Sequence, residues 1–248
     1  MQSKKTSSRF FLIDSIRGFA LINMLVYHLC YDIFMMNSID RGWSSYPWII
    51  AWERFICITF IIISGVSIHF SKSVYKRGCI VNLFGLLITA TTVILLPREA
   101  VWFGILNLLG SSMLITQLLR KILDKINPIA GMIVSFLLFA VFYNVPYRYI
   151  GFFKLRLFRM PDFLYNSKIS AFFGFPPSGF SSSDYFPLLP WIFMFVLGYF
   201  LWKVICNLRF DGYFKLKIPV LNTFGKYSLW IYMIHQPILI GLVWLFLD

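Results

Sequence analysis

Charged residues are scarce in this chain. Asp, Glu, Lys and Arg together make up 13% of its 248 residues, whereas hydrophobic residues make up 59%. Soluble domains carry about 25% charged and about 45–50% apolar residues. A water-soluble core cannot hide this much apolar surface, so the composition excludes an ordinary soluble domain. It predicts an all-α membrane protein, a bundle of several transmembrane helices.

Cysteine, histidine and acidic residues are also few. None of the four cysteines belongs to a C-x-x-C pair, which argues against a disulfide framework and a zinc site. The three histidines are not at metal-ligand spacing, so no metal is expected. The formal net charge is +13, but the basic residues lie between the apolar runs and form no compact basic face. We therefore expect no nucleic-acid partner.

Long apolar runs fill most of the chain. A helix needs about 20 mostly apolar residues to cross a bilayer, and seven runs meet this length. We expect a single transmembrane domain over residues 1–248, with one long loop at 147–184 that has room for a short interfacial or re-entrant helix. The predicted spans are 10–35, 47–69, 79–96, 100–119, 129–146, 185–206 and 226–247.

The short loops predict how the chain is oriented. Lys and Arg concentrate on the cytoplasmic side of membrane proteins. Alternate segments are basic, which predicts a cytoplasmic N-terminus, an external C-terminus and an external 147–184 loop. The basic segments are the N-terminus with Lys4, Lys5 and Arg9, and residues 70–78, 120–128 and 203–226; the loops at 37–46 and 97–99 carry one basic residue each.

Four ionisable residues interrupt the first predicted span, "IDSIRGFALINMLVYHLCYD" (13–32). At about 100° per residue, Asp14, Arg17, His28 and Asp32 fall within about 60° of one another on a helix. Ionisable groups inside a bilayer are costly and usually functional. His28 and Asp32 have the spacing at which a carboxylate can orient an imidazole base, and Asp14 can neutralise Arg17. The alternative is a polar network that only holds helices together.

Polar residues in three other places are further candidates. Glu53 and Arg54, in the second predicted span, either pair with the polar residues of the first span or form a salt bridge below the headgroups. Asp184 precedes the sixth span, where it either caps a helix or contributes to an outer acceptor site. His235, in the last span, either hydrogen-bonds across helices or belongs to the functional site.

Five sequence blocks carry a resemblance to known enzymes. Arg17, ten residues and then His28 resemble the first-span signature of the type-three family of integral-membrane acyltransferases. The longer pattern is similar to bacterial members of the heparan-α-glucosaminide N-acetyltransferase catalytic-domain family, over residues 9 to about 240. The blocks are the segment 13–32 above, "FIIISGVSI" (60–68), "FGILNLLG" (103–110), "SSDYFPLLPW" (182–191) and "GKYSLWIYMIHQPIL" (225–239).

The resemblance implies a transmembrane acyltransferase, here expected in a bacterial cytoplasmic membrane. Such an enzyme moves an acyl group, here expected to be acetyl, from cytoplasmic acetyl-CoA to a carbohydrate or amino-sugar acceptor on the outer side. His28 would be the general base, Asp32 would orient it, and His235 would join the catalytic site. Attack of a histidine on the thioester, through an acyl-histidine, stays open. Expected partners are membrane lipids, acyl-CoA and a carbohydrate, and an oligomer is left open.

The remaining candidates are expected to bind the donor or the acceptor. Arg17 would attract the CoA phosphates from the cytoplasm. Asn107 stands where the third block is expected to carry histidine in many relatives. The lysosomal relative is expected to carry asparagine where this chain has His28, with its key histidine in the following loop, so its catalytic detail is not transferred to this chain. The binding candidates are Asp14, Arg17, Glu53, Arg54, Asn107 and Asp184.

Two other classes of protein could use the same residues. A proton-coupled transporter or a lipid or glycan flippase also needs Asp, Arg and His inside the membrane. Transporters often show internal repeats with broken helices in corresponding positions, and no repeat is visible here. A non-catalytic scaffold is disfavoured because several spans carry ionisable residues.

The predicted topology can be tested with a reporter that is active only outside the cytoplasm. Fused after Asp248, the reporter should be active, because seven spans put the two termini on opposite sides. An inactive fusion that is expressed normally would show that the number of spans is even.

Overall fold

The computed structural model describes residues 10–36, 39–153 and 155–247, so Lys4, Lys5 and Arg9 lie outside the described part of the chain. The described residues are mostly helical, with one short hairpin. The α-helices are α1 (Phe11–Tyr31), α2 (Pro47–Ser67), α3 (Val74–Leu95), α4 (Ile105–Leu123), α5 (Pro128–Phe142), α6 (Lys168–Phe173), α7 (Leu188–Asn207), α8 (Pro219–Lys226) and α9 (Ser228–Leu247), and the strands are β1 (Tyr149–Phe152) and β2 (Leu155–Arg159).

Six helices in the described part of the chain are long and apolar enough to cross a membrane. Each overlaps a predicted span, and their ends differ from the predicted ones by a few residues. The prediction of a polytopic helical membrane protein is confirmed. The six segments are Phe11–Met35, Pro47–Phe70, Val74–Leu95, Pro128–Tyr147, Leu188–Asn207 and Ser228–Phe246.

The remaining predicted span, 100–119, corresponds to α4, which is a helix of 19 residues but a less apolar one. It carries two amide and three hydroxyl side chains, and its last turn contains Arg120 and Lys121. Seven spans and a cytoplasmic N-terminus therefore stay predictions. If α4 does not cross the membrane, both termini lie on one side and the reporter after Asp248 is silent.

The helices form two compact units. The first unit contains the chain up to Ile63 and from Ile205 onward, and so holds α1, most of α2, α8 and α9. The second unit, Ser64–Val204, holds the end of α2, the helices α3 to α6, the hairpin and most of α7.

In the first unit, α1 and α8 are in direct backbone contact. A methyl group added at Gly18 would lie 1.9 Å from the carbonyl oxygen of Leu221, and one added at Gly225 would lie 1.7 Å from that of Asp14. Only a residue without a Cβ permits this approach. The helix α8 was not predicted, and residues 203–226 were expected to form a basic loop. Its eight residues are too few to be recognised as a membrane span from hydropathy.

Apolar packing joins α1 to the rest of this unit. Leu21, Met24 and Ile56 form a buried cluster, and residues of α8 and α9 pack against it. Beyond this cluster the helix continues as a π-helical turn, Asp32–Met36. Such turns are rare and often occur at functional sites.

In the second unit, α3 and α4 pack closely through small and polar residues. A methyl group added at Gly110 would lie 2.7 Å from the carbonyl oxygen of Gly78. The hydroxyl of Ser111 donates to the side-chain oxygen of Asn82 at 3.1 Å. Small residues that let backbones approach, with polar side chains bonded across, are typical of membrane helix pairs.

The end of α2 packs against α7 in the same unit. A methyl group added at Gly65 would lie 2.0 Å from the carbonyl oxygen of Phe195. His69 donates through Nε2 to the carbonyl oxygen of Tyr199 at 3.0 Å, and the two rings stack. The hydroxyl of Tyr199 donates in turn to Asp124, which ties α7 to the end of α4.

The predicted 147–184 loop contains more structure than the sequence indicated. The short helix that we considered is α6, but the antiparallel hairpin of β1 and β2 was missed. Arg148 and Arg159 both bind the carboxylate of Asp162. These two guanidinium groups lower the pKa of Asp162 below its usual range.

The α1–α8 contact predicts that Gly225→Ala is strongly destabilising. The added methyl group meets backbone atoms of α1, which cannot move without separating the helices, and overpacking of this kind costs about 1–3 kcal/mol or more. We expect a lower midpoint of thermal unfolding in detergent. The matched control is Gly241→Ala in α9, where an added methyl group meets nothing within 4 Å. An unchanged midpoint in Gly225→Ala would contradict the close contact.

Candidate functional site

Two histidines meet between the first and last helices of the first unit. The rings of His28 on α1 and His235 on α9 lie 4.8 Å apart between centroids, at an angle of 61°. The Nδ1 atom of His235 is 2.6 Å from the carbonyl oxygen of Tyr232. A carbonyl oxygen can only accept, so Nδ1 carries the hydrogen. In a neutral imidazole this leaves the Nε2 atom of His235 with a free lone pair.

The Nε2 atom of His235 is buried and has no hydrogen-bond partner among the described residues. Buried polar atoms usually have a partner, and exceptions often have a functional reason. A lone pair held on a fixed ring in this way can take a proton from a bound group or attack an electrophile. The ring nitrogen with these properties on α9 is Nε2 of His235, and the ring of His28 lies beside it.

A hydrogen bond between side chains couples Asp32 to this pair. The side-chain nitrogen of Gln236 donates to Oδ1 of Asp32 at 2.8 Å, and Asp32 is 1% exposed. Gln236 follows His235 directly in α9, so the bond joins the two helices beside the histidines. The side-chain oxygen of Gln236 is also buried without a partner among the described residues. Gln236 was missed because one glutamine in an apolar helix gives no sequence signal of its own.

One aromatic residue, Tyr27, contacts His28 on α1, and two tryptophans pack against Tyr27. Tyr27 lies edge-on to His28, with 5.7 Å between ring centroids, and also packs against Trp43 and Trp52. Trp52 donates through its ring nitrogen to the side-chain oxygen of Asn23 at 3.0 Å. These contacts fix the ring of Tyr27 beside His28.

The predicted neutralising pair is present at the other end of α1. Arg17 donates to the carboxylate of Asp14 at 3.0 Å, and both side chains are largely buried. The pair lies where α8 packs on α1, since the carbonyl oxygen of Asp14 faces Gly225. A buried charge is tolerated in this setting because its partner offsets the loss of water.

Glu53 and Arg54, adjacent on α2, lie 3.9 Å apart at their closest charged atoms, and about a third of each side chain is exposed. Side chains of adjacent residues point about 100° apart on a helix, which does not favour close pairing. The long separation makes this a weak ion pair. The functional pairing considered for these two residues stays a prediction.

The last two predicted site residues belong to the second unit. Asn107 on α4 is 5% exposed, and a methyl group added at Gly85 would meet its side chain. Asp184 accepts a hydrogen bond from the backbone nitrogen of Ile105 at 3.2 Å. Asp184 was expected to cap the helix that follows it in the sequence. The hydrogen bond to Ile105 joins it to the first turn of α4, which precedes it in the sequence. Its possible role at an acceptor site stays a prediction.

In the described part of the chain, no three His, Cys, Asp or Glu side chains come together in a way that could hold a metal ion. Among the described residues of the first unit, the polar groups that the sequence singled out are the histidine pair, Asp32, the Asp14–Arg17 pair and the Glu53–Arg54 pair.

Comparison with known proteins identifies the family. Neither the search of curated proteins nor the search of solved structures found a match. The family model described as heparan-alpha-glucosaminide N-acetyltransferase, catalytic, matches residues 9–237, which include every predicted site residue. The match covers most of the chain, and the six apolar helices agree with a membrane enzyme of the acetyltransferase type. The chain belongs to the heparan-alpha-glucosaminide N-acetyltransferase catalytic-domain family.

Proposed function

We propose that this protein transfers an acetyl group from cytoplasmic acetyl-CoA to a carbohydrate or amino-sugar acceptor at the outer side of the membrane. The observation that carries the proposal is the unpartnered Nε2 of His235, held beside His28 by the hydrogen bond between Nδ1 and the carbonyl oxygen of Tyr232. The family match supports the reaction class.

In the proposed step, His235 acts as the general base. Its Nε2 atom takes a proton from the hydroxyl or amine of the acceptor, and the acceptor oxygen or nitrogen attacks the carbonyl carbon of the thioester. The carbon–sulfur bond breaks, and the CoA thiolate takes the proton back from the imidazolium. The products are the acetylated acceptor and free CoA.

His28 and Asp32 support this base from α1. From the sequence alone, His28 was favoured as the base. The ring of His28 contacts the ring of His235, so His28 can relay a proton or contact the acceptor. Asp32 holds Gln236, and Gln236 fixes the position of the next residue, His235. We therefore assign Asp32 and Gln236 as positioning residues.

Binding of the substrates is assigned to the other polar candidates that the sequence provides. Arg17 provides a cation for the CoA phosphates, and its contact with Asp14 orients the guanidinium group. The candidates on the acceptor side are Glu53, Arg54, Asn107 and Asp184, at which carboxylate, guanidinium and amide groups can bind sugar hydroxyls or amines.

The role of His235 is tested by two substitutions that separate its nitrogen atoms. His235→Asn keeps a donor near the position of Nδ1 and removes Nε2, whereas His235→Gln places an amide near Nε2. General-base catalysis contributes about 10²–10⁴-fold, so both variants should lose that much turnover with labelled acetyl-CoA and an amino sugar.

The matched control for these variants is His69→Gln, which keeps an N–H group within reach of Tyr199 and should have nearly normal turnover. His28→Ala should also lose turnover. If His235→Asn folds and retains normal turnover, His235 is not the base, and His28 becomes the first candidate.

The donor role of Arg17 is tested by acetyl-CoA binding. Arg17→Ala removes the cation but leaves the buried Asp14 carboxylate unpaired, so the double variant Asp14→Asn/Arg17→Gln is needed as a neutral pair. Both variants should bind acetyl-CoA more weakly than the wild type. Normal affinity in the folded double variant would place the phosphates of CoA elsewhere.

A further inference from the structure

The chain that leads from α7 to α9 carries large apolar side chains that stay exposed. We call residues 208–226 the connecting segment; it contains a short 3₁₀ helix, Asp211–Lys215, and the helix α8. Single exposed apolar residues are ordinary, but a cluster of them marks a contact with a partner or a membrane. Six lie in this segment and are each 41–73% exposed: Leu208, Phe210, Tyr213, Leu216, Ile218 and Val220.

The connecting segment also has an excess of exposed positive charge. Its four basic residues are all exposed, and Asp211 is the only acidic residue between positions 208 and 226. None of the four makes an ion pair with a described residue. This surface therefore combines apolar side chains with cations that have no counter-ion among the described residues. The four cations are Arg209, Lys215, Lys217 and Lys226.

Contacts with α1 show where the connecting segment lies along that helix. The side-chain nitrogen of Asn222 donates to the carbonyl oxygen of Phe11 at 3.1 Å, and Phe11 is the first residue of a helix long and apolar enough to cross a membrane. The carbonyl oxygen of Leu221 faces Gly18. Phe11 and Gly18 are about 10 Å apart along the helix axis, so α8 lies within the first two turns of α1. Amphipathic elements that lie in a membrane surface occupy this depth, about 5–10 Å into the boundary between headgroups and acyl chains.

We infer that the connecting segment lies in the membrane surface and binds anionic phospholipid, with its apolar side chains among the acyl chains and its cations at the lipid phosphates. A dissolved anion would neutralise the cations but leave the apolar side chains in water, whereas a phospholipid covers both. Clustered Lys and Arg residues beside a membrane span attract anionic lipids. The lipid contact is independent of acetyl transfer, and it would hold α8 against α1 where Gly225 meets Asp14.

The test identifies the lipid that lies against the connecting segment. Tyr213, the most exposed of its apolar residues, is replaced by the photoreactive residue benzoylphenylalanine. The full chain is placed in nanodiscs of equal parts phosphatidylglycerol and phosphatidylcholine and irradiated, and the lipid adducts are quantified by mass spectrometry. One Lys or Arg near a membrane surface favours anionic lipid about fivefold. Phosphatidylglycerol adducts should therefore exceed phosphatidylcholine adducts by at least about fivefold.

The same experiment is repeated with two sets of added substitutions. Lys215→Gln with Lys217→Gln should reduce the excess of phosphatidylglycerol adducts. The matched control is Arg41→Gln, at an exposed cation of the same unit beyond the other end of α1, and it should leave the excess unchanged. Folded protein that forms no lipid adducts, or equal amounts of the two adducts, overturns the inference.

Two further measurements do not need the photoreactive residue. In detergent, phosphatidylglycerol should raise the midpoint of thermal unfolding more than phosphatidylcholine does, and this difference should be smaller in Lys215→Gln/Lys217→Gln than in Arg41→Gln or the wild type. An equal difference in all three proteins overturns the inference. Acetyl-CoA affinity without anionic lipid should be the same in the double variant and the wild type. Weaker acetyl-CoA binding by the double variant would assign these cations to the donor instead of a lipid, which also overturns the inference.

Discussion

A polar group buried between membrane helices must find its hydrogen-bond partner within the protein, because lipid offers none. This constraint accounts for the Asp14–Arg17 pair on α1, for the bond from Gln236 to Asp32 and for the bond from His235 to the Tyr232 carbonyl. Where such a group has no partner among the described residues, a bound ligand can supply the hydrogen bond. The site on α9 is defined by this contrast.

Close backbone contacts determine where these polar groups lie. Gly18 and Gly225 bring α8 onto α1 at the Asp14–Arg17 pair. In the second unit, Gly78 and Gly110 bring α3 onto one face of α4. The same small residues that hold each unit together thus also fix the positions of the polar side chains on these helices.

The apolar helices could be predicted from the sequence, because a run of about 20 apolar residues has the length and composition of a transmembrane helix and few other structures can bury it. The i,i+3 pair of Asp14 and Arg17 followed from helix geometry within one segment. The contact of His28 with His235 depends on how α1 and α9 pack, and no pattern within either helix specifies it. The helix α8 and the hairpin of β1 and β2 were missed because short segments with mixed polarity carry no periodic signal. Asp184 was predicted to cap a helix, but its contact with Ile105 joins parts of the chain that are 79 positions apart.

The account depends on a covalent transfer across the membrane at the His28–His235 centre, and this separates it from a transporter that would use the same residues. The most direct measurement uses purified protein in sealed vesicles, with acetyl-labelled acetyl-CoA supplied at the cytoplasmic face and an amino sugar on the other side. The account predicts labelled, acetylated sugar on the acceptor side, with free CoA released at the face where the donor was added and no product from His235→Asn. Sugar that crosses the membrane unmodified under a proton gradient, without any acetylated product, would contradict it.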